Sequence, residues 1–359
     1  MKKINLEKRF AEGRKLERVG VGVLPSRLGS TGDGDFSLIE LLRGTWTSQA
    51  QGWNLIALPF KDPSAKFNYR ILMNQYGEKL SFNMPDKGVP NRGITPDSGE
   101  TRQLIDAIAY EQIVVQKEVD DFPASSLRGK NEEGIHHEPG FFLQFLNHIS
   151  VGHTEEDGKK NGPDVDLKIA RLATIPHGNS VLAMGTVQHN IRGAPKIPKE
   201  DARPERINNN VKKNPYLAPY KHFEDNPFFG KVPGSVTGFP GLFATDANAI
   251  LKFALAKEKV KKHTILNFDT KFRNKQLTGI PISNIPFVTR EADTTEMHAT
   301  FWIMELDNPD ESAPTEFIMQ YSQTVYLEFF DSEEKDSKGK FKRIRWPHVS
   351  INTLKKSNS

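Results

Sequence analysis

The side chains best equipped for chemistry in this chain of 359 residues are imidazoles, because it holds ten histidines and no cysteine. The missing thiols exclude disulfide scaffolds, Cys-ligated zinc or iron–sulfur sites, thiol catalysis and thiolate-bound haem. What remains open to imidazole is proton transfer near neutral pH and metal ligation through a ring nitrogen. The densest cluster is His136-His137-Glu138-Pro139-Gly140, just ahead of the apolar run Phe141–Phe145. Adjacent side chains of an extended chain point to opposite faces, so only one of these two histidines can look inward. The competing reading is a solvated strand start with Glu138 bonded to backbone. His348 shares its parity with Ser350 and Asn352, a polar row that suits a cavity wall. The same alternation also permits Val349 and Ile351 to point inward, with His348 in water. His177, in Ile175-Pro176-His177-Gly178-Asn179-Ser180, reads as a surface turn. His298 reads as structural.

Other chemistries find no support. No histidine triplet has zinc-ligand spacing, no H-E-x-x-H occurs, and no glycine-rich phosphate loop is present. Gly178-Asn179-Ser180 is not a nucleophile elbow. Acidic pairs such as Glu132-Glu133 and Glu155-Glu156 sit in charged loops, where solvated faces are the usual explanation.

The elements that must position the histidines are mostly strands. Gly44-Thr45-Trp46 opens the first, after a short helix at Phe36–Leu42. Residues 67–73 alternate, break at Tyr76-Gly77-Glu78 and resume at Leu80, which predicts a hairpin. Further strands are expected at Ala109–Lys117, Gly140–His148, Asp166–Ile175, Val181–Gln188, Ala299–Leu306, Glu316–Phe330 and Val349–Leu354, with a charged hairpin end between the last two. Residues 190–240 hold eight prolines, and Asp246 is placed to cap a helix reaching roughly Lys261. Residues 1–34 read as an N-terminal arm. Residues 35–355 then form a single all-β domain, an antiparallel β-barrel of about ten strands, interrupted by a Pro-rich and helical insertion at about 190–265.

Formal net charge is +4, too weak a surplus to argue for nucleic acid. No apolar stretch is long enough to span a membrane. The basic start lacks an apolar segment behind it, so it does not read as a secretory signal, and a soluble cytoplasmic protein is expected.

Several segments together resemble a known group. Gly44-Thr45-Trp46 resembles the G-x-W opening of calycins, the superfamily of lipocalins and fatty-acid-binding proteins. Residues 134–143 are similar to the nitrobindin run His-x-Glu-x-Gly-aromatic-Leu. Tyr321–Val325 and His348–Leu354 resemble nitrobindin's last two strands. VPNRG (89–93), IARLATIPHGNS (169–180), SNIPF (283–287), ATFWI (299–303) and WPHVS (346–350) look closer still to larger bacterial and fungal proteins of this kind. The first strand departs from the nitrobindin pattern, with Ser48 and Ala50 where glycines stand. The resemblance implies a calycin-like up-and-down barrel that binds haem b, with His348 as iron ligand and His136, or alternatively His137, on the distal side. It also implies peroxide or reactive-nitrogen chemistry, as in a peroxidase or peroxynitrite isomerase. Trp46 and Arg171 are the other expected cofactor contacts, Arg171 (or Arg92) for the propionates. The alternative is a haem-free carrier of an apolar small molecule, a fatty acid or isoprenoid, anchored by Arg171 or Tyr321.

Overall fold

The computed structural model describes residues 37–60, 66–95, 99–126, 128–146, 167–271, 281–310 and 312–357. The expected arm at 1–34 lies outside the described residues. A short helix, α1 (Leu38–Leu42), leads into β1 (Gly44–Pro59), β2 (Tyr69–Thr95), β3 (Gly99–Phe122), β4 (Gly134–Phe145), β5 (Ile169–Ile175) and β6 (Asn179–Arg192). An excursion carrying α2 (Ala218–Asp225) and α3 (Ala249–Leu255) follows. Then come β7 (Val260–Asp269), β8 (Ile282–Asn284), α4 (Pro286–Glu291), β9 (Asp293–Leu306), β10 (Phe317–Lys335) and β11 (Phe341–Lys356). All pairings are antiparallel. Ten strands close into a ring in the order β5-β4-β3-β2-β1-β11-β10-β9-β7-β6, with β5 paired back to β6, and the short β8 is added to β6. The ring is sealed by β1 and β11, where Trp46 faces Lys356 and Leu55 faces Val349.

Period-two alternation assigns each strand an inner and an outer row. At one end the inner row is aromatic: Phe142 meets Phe268 and Tyr110 edge-on, each at 5.1 Å between ring centroids. The helix α1 bridges this end, with Leu38 N–H donating to Gln144 and Leu41 accepting from Lys356. Trp46 belongs to the same end, its indole N–H donating to Leu42 O at 2.9 Å.

The larger apolar cluster lies outside the ring. Trp53, Leu55, Ile71, Met73, Val349 and Ile351 point outward and are buried beneath the excursion, against Tyr220, Phe223, Phe228, Leu242 and Leu251. Trp346 stacks on Phe329 at 4.9 Å, and Gln320 Nε2 donates to Leu251 O at 3.0 Å. The excursion is therefore not a cover for the ring's end but a wrap over its side wall.

Charges fasten the excursion's first segment. Arg345 pairs with Glu205 of the excursion at 2.6 Å and with Glu296 at 2.8 Å, and Tyr326 Oη donates to Glu205 at 3.0 Å. His298 sits beside them with one ring nitrogen 3.0 Å from Asp269 and the other on Glu296 at 2.5 Å.

Several sequence expectations are corrected here. Tyr76-Gly77-Glu78 is no turn, because β2 runs straight through it. The glycine answers a close approach instead: a Cβ at Gly77 would lie 2.4 Å from the Gln49 carbonyl, where β1 bulges between Ser48 and Gly52. The helix after Asp246 is shorter, and β7 begins at Val260, where Lys261, Lys262 and His263 had hidden its alternation. The charged end between the last two strands is largely strand itself, continuing to Lys335 and resuming at Phe341.

Trp346→Ala should lower unfolding free energy by roughly 3–5 kcal/mol in a denaturant titration, the cost of emptying a large aromatic site. Burial lowers the His298 pKa, but Asp269 and Glu296 outweigh it and raise the value to about 9. The stabilisation is complete below the ordinary value near 6.5 and is lost as pH rises toward about 9. Thermal midpoints should fall across that window in the wild type, and His298→Gln should flatten the fall.

Candidate functional site

The other end of the ring is hollow. A cavity of about 1060 Å³ opens there, walled by apolar side chains such as Ile56, Leu58, Val114, Met297 and Val325 and by three histidines. His348 faces it from β11, His136 from β4 and His177 from the β5–β6 turn. Such a size suits a drug-sized or larger ligand.

The inward row of β11 is His348, Ser350 and Asn352, while Val349 and Ile351 face the excursion. Burial, the largest influence, with lesser contributions from His136 and His177, holds the His348 imidazole down at about 3. It is therefore neutral at physiological pH. Ser350 Oγ, 3.5 Å from His348 Nε2, is its one hydrogen-bond contact among the described residues.

Of the two adjacent histidines, His136 is the inward one. Its Nε2 lies 3.1 Å from Glu138 Oε2, and its ring centre is 5.6 Å from that of His177. His137 is on the outer face, bonded to the exposed Glu111 at 2.9 Å, so it does not reach the cavity.

Arg171, expected as the contact for the propionates, is buried and already paired. Its Nη2 lies 2.5 Å from Glu138 Oε1, its Nε donates to Tyr110 Oη at 3.0 Å, and its Nη1 donates to Gln323 Oε1 at 2.6 Å. Tyr110 Oη also donates to Glu138. Space for this cluster comes from Gly140, where a Cβ would lie 2.1 Å from the Leu172 carbonyl and 2.6 Å from the Tyr110 ring. Burial raises the Glu138 pKa, but the Arg171 charge and the His136 contact prevail and leave it at about 2. The pair is thus ionised and internally neutral. Trp46 is fully buried in the aromatic end and does not line the cavity. Arg92 is exposed on β2.

The cavity floor is a polar belt that sequence reasoning largely missed. Tyr76 and Tyr321 reach it with their hydroxyls 2.8 Å apart, and Gln112 and Gln323 line it beside them. Beneath lies Glu78, with Tyr321 Oη at 2.6 Å, Asn352 Nδ2 at 2.8 Å and Gln112 Nε2 at 2.9 Å. Tyr76 folds over Gly52, where a Cβ would collide with its ring. In the wall, Arg70 is ion-paired with Asp121 at 2.7 Å. His177 was missed because its segment has turn composition. The turn is pinned over the mouth by Ile285 N–H donating to Gly178 O at 2.9 Å, a long-range bond with no local signal. Among the described residues no three histidine or acidic side chains are grouped to share one metal ion. No helix among them is long and apolar enough to cross a membrane.

No family model and no curated protein matches this chain. Among solved structures, the chain is similar to the crystal structure of Rv2717c from M. tuberculosis, at 10% identity and a TM-score of 0.33, covering 90% of this chain and 100% of that one.

Glu138→Gln or Arg171→Met alone should cost about 3–5 kcal/mol in denaturant unfolding, since each strands a buried charge. The double variant Glu138→Leu/Arg171→Met should recover most of that loss. Because the folded Glu138 pKa is depressed to about 2, its stabilisation is present above the ordinary value near 4.5 and lost as pH falls toward about 2. Acid titration of stability should lose this component in the double variant.

Proposed function

We propose that the cavity binds haem b, with His348 as the axial ligand to iron, inside a calycin-like barrel. The observation that carries this reading is the His348 imidazole: neutral, enclosed in the wall of a cavity of about 1060 Å³, and committed to nothing stronger than Ser350 at 3.5 Å. A haem ligand needs an unprotonated ring nitrogen facing an apolar pocket that can bury the porphyrin. The donor set fits in kind. His348 lacks the carboxylate partner that often strengthens a ligating imidazole, so it is a plain histidine donor.

Bound haem would supply an iron with a coordination position left for a small ligand, the basis for gas binding or for peroxide or reactive-nitrogen chemistry. The residues placed to handle such a ligand are His136, held by Glu138, and His177 beside it. His137 has no part in this arrangement. Arg171 cannot meet the propionates, since Glu138 already engages it. Arg70, in the cavity wall, is engaged in the same way by Asp121 at 2.7 Å.

The rival is haem-free carriage of an apolar molecule. For a fatty acid it is weakened by the same placement of Arg171, and Tyr321 is committed to Glu78 and Tyr76. A neutral isoprenoid would fit the apolar wall as well as haem does.

Protein loaded with haem should show a Soret band that shifts or disappears in His348→Ala while the fold, followed by circular dichroism, persists. No Soret band in the wild type, or an identical band in His348→Ala, would rule out the ligand assignment. Native mass spectrometry showing a co-purified isoprenoid and no porphyrin would favour the carrier.

A further inference from the structure

Below the cavity floor lies a carboxyl group that the haem reading does not use. Glu78 of β2 is 4% exposed and is surrounded by Tyr321 of β10, Asn352 of β11, Gln112 of β3 and its own neighbour Tyr76, with Ser48 of β1 behind Asn352. No lysine or arginine among the described residues is bonded or ion-paired to it. Arg171 and Glu138, elsewhere in the interior, are paired with each other. His136 on β4 is the titratable group whose charge reaches it besides the two tyrosines.

The oxygens here form a chain, and its protons can be counted. Glu78 Oε2 lies 2.6 Å from Tyr321 Oη, Tyr321 Oη lies 2.8 Å from Tyr76 Oη, and Tyr76 Oη lies 3.1 Å from the Ile351 carbonyl oxygen. Three oxygen–oxygen contacts need three protons, and the Ile351 carbonyl can only accept. The two phenols supply two. With Glu78 ionised, one contact would place two oxygens face to face without a hydrogen between them, at a buried site where that is costly. With Glu78 protonated every contact is filled, as Glu78 O–H donates to Tyr321, Tyr321 to Tyr76, and Tyr76 to Ile351. The amides of Asn352 and Gln112 donate to the carboxyl in either state.

We propose that Glu78 is a neutral carboxylic acid at physiological pH, a proton store from which Tyr321 protonates a basic oxygen or nitrogen of a ligand in the cavity. Tyr321 turns its O–H from Tyr76 to the ligand; that O–H bond breaks as the ligand's new bond to hydrogen forms. The Glu78 proton passes to the Tyr321 oxygen in the same event. The carboxylate left behind keeps three donors, Tyr321, Asn352 and Gln112. No electron transfer is involved, and the proton is regained from solvent when the product leaves. Burial, the dominant influence on Glu78, pushes its carboxyl pKa up, against the hydrogen bonds from Tyr321, Asn352 and Gln112. Both phenols are pushed far above their usual range, so they act as conductors and not as anions. The proposal does not depend on haem.

Infrared spectroscopy of the wild-type protein at pH 7 should show the carbonyl absorption of a protonated carboxylic acid. Glu78→Gln should remove it without loss of fold, since the amide N–H supplies the third proton to the chain. Tyr321→Phe should move the absorption to higher frequency by taking away its hydrogen-bond acceptor, which a merely structural carboxylate would not do. With excess 4-nitrophenolate, the acid absorption should be lost in the wild type. Absence of the absorption at pH 7, or indifference to either substitution, overturns the store. Its survival in the presence of the phenolate overturns delivery to the cavity.

Discussion

The constraint on which the rest depends is that the wall made by β1, β2 and β11 carries its apolar row on the outside. A closed ring of strands ordinarily buries hydrophobic side chains within and shows polar ones to water. Here Trp53, Leu55, Ile71, Met73, Val349 and Ile351 point away from the interior, and the excursion between β6 and β7 takes them out of water. At roughly 25 cal/mol per Å² of apolar area, that cover is where much of the wall's stability resides. Once the outer face supplies the hydrophobic contact, the inner face of the same strands is free to be polar and to leave space. His348 of β11 and Tyr76 and Glu78 of β2 occupy that inner face.

Electrostatics inside the ring follow a single economy of charge. Arg171 is matched by Glu138, Arg70 by Asp121, and His348 is neutral. The cavity thus offers a ligand imidazoles and phenols rather than an unpaired arginine. Within the proposed reading, that suits an apolar ligand better than a fatty-acid carboxylate. Glu138 also fixes His136 by accepting its ring N–H, so the buried ion pair and the cavity's second imidazole are parts of one arrangement. In the other half of the interior, aromatic rings fill the space that a ligand would need, which confines any site to the open end.

The all-β class, a closed sheet and the interruption in the middle were legible because alternation and proline clustering are local signals. So was the parity of β11, although Val349 and Ile351 left its sense undecided. Neither row faces open solvent fully, since Val349 and Ile351 are buried and His348 and Ser350 are partly so, and no single-strand pattern distinguishes inside a ring from under a wrap. The Tyr76-Gly77-Glu78 step looked like a turn because glycine there answers a neighbouring strand's bulge, a contact invisible in one segment. The strand at Val260–Asp269 was lost behind its two lysines. Arg171 read as a ligand contact because its true partner, Glu138, lies 33 residues away in the chain on another strand. His177 read as a turn residue because it is one; only the fold brings that turn over the cavity.

The seam between the first and last strands has a mechanical corollary. Ser357 N–H donates to Thr45 O at 2.8 Å, so the two ends of the ring emerge side by side. Tension applied at Gly44 and Lys356 would peel β1 from β11 one hydrogen bond at a time, the weak unzipping direction of an antiparallel pair. Resistance would rise only where Trp53 faces Ile351, because both side chains there are clasped by the excursion. The segment spliced between the sixth and seventh strands is thereby the rivet for a joint made by the first and the eleventh.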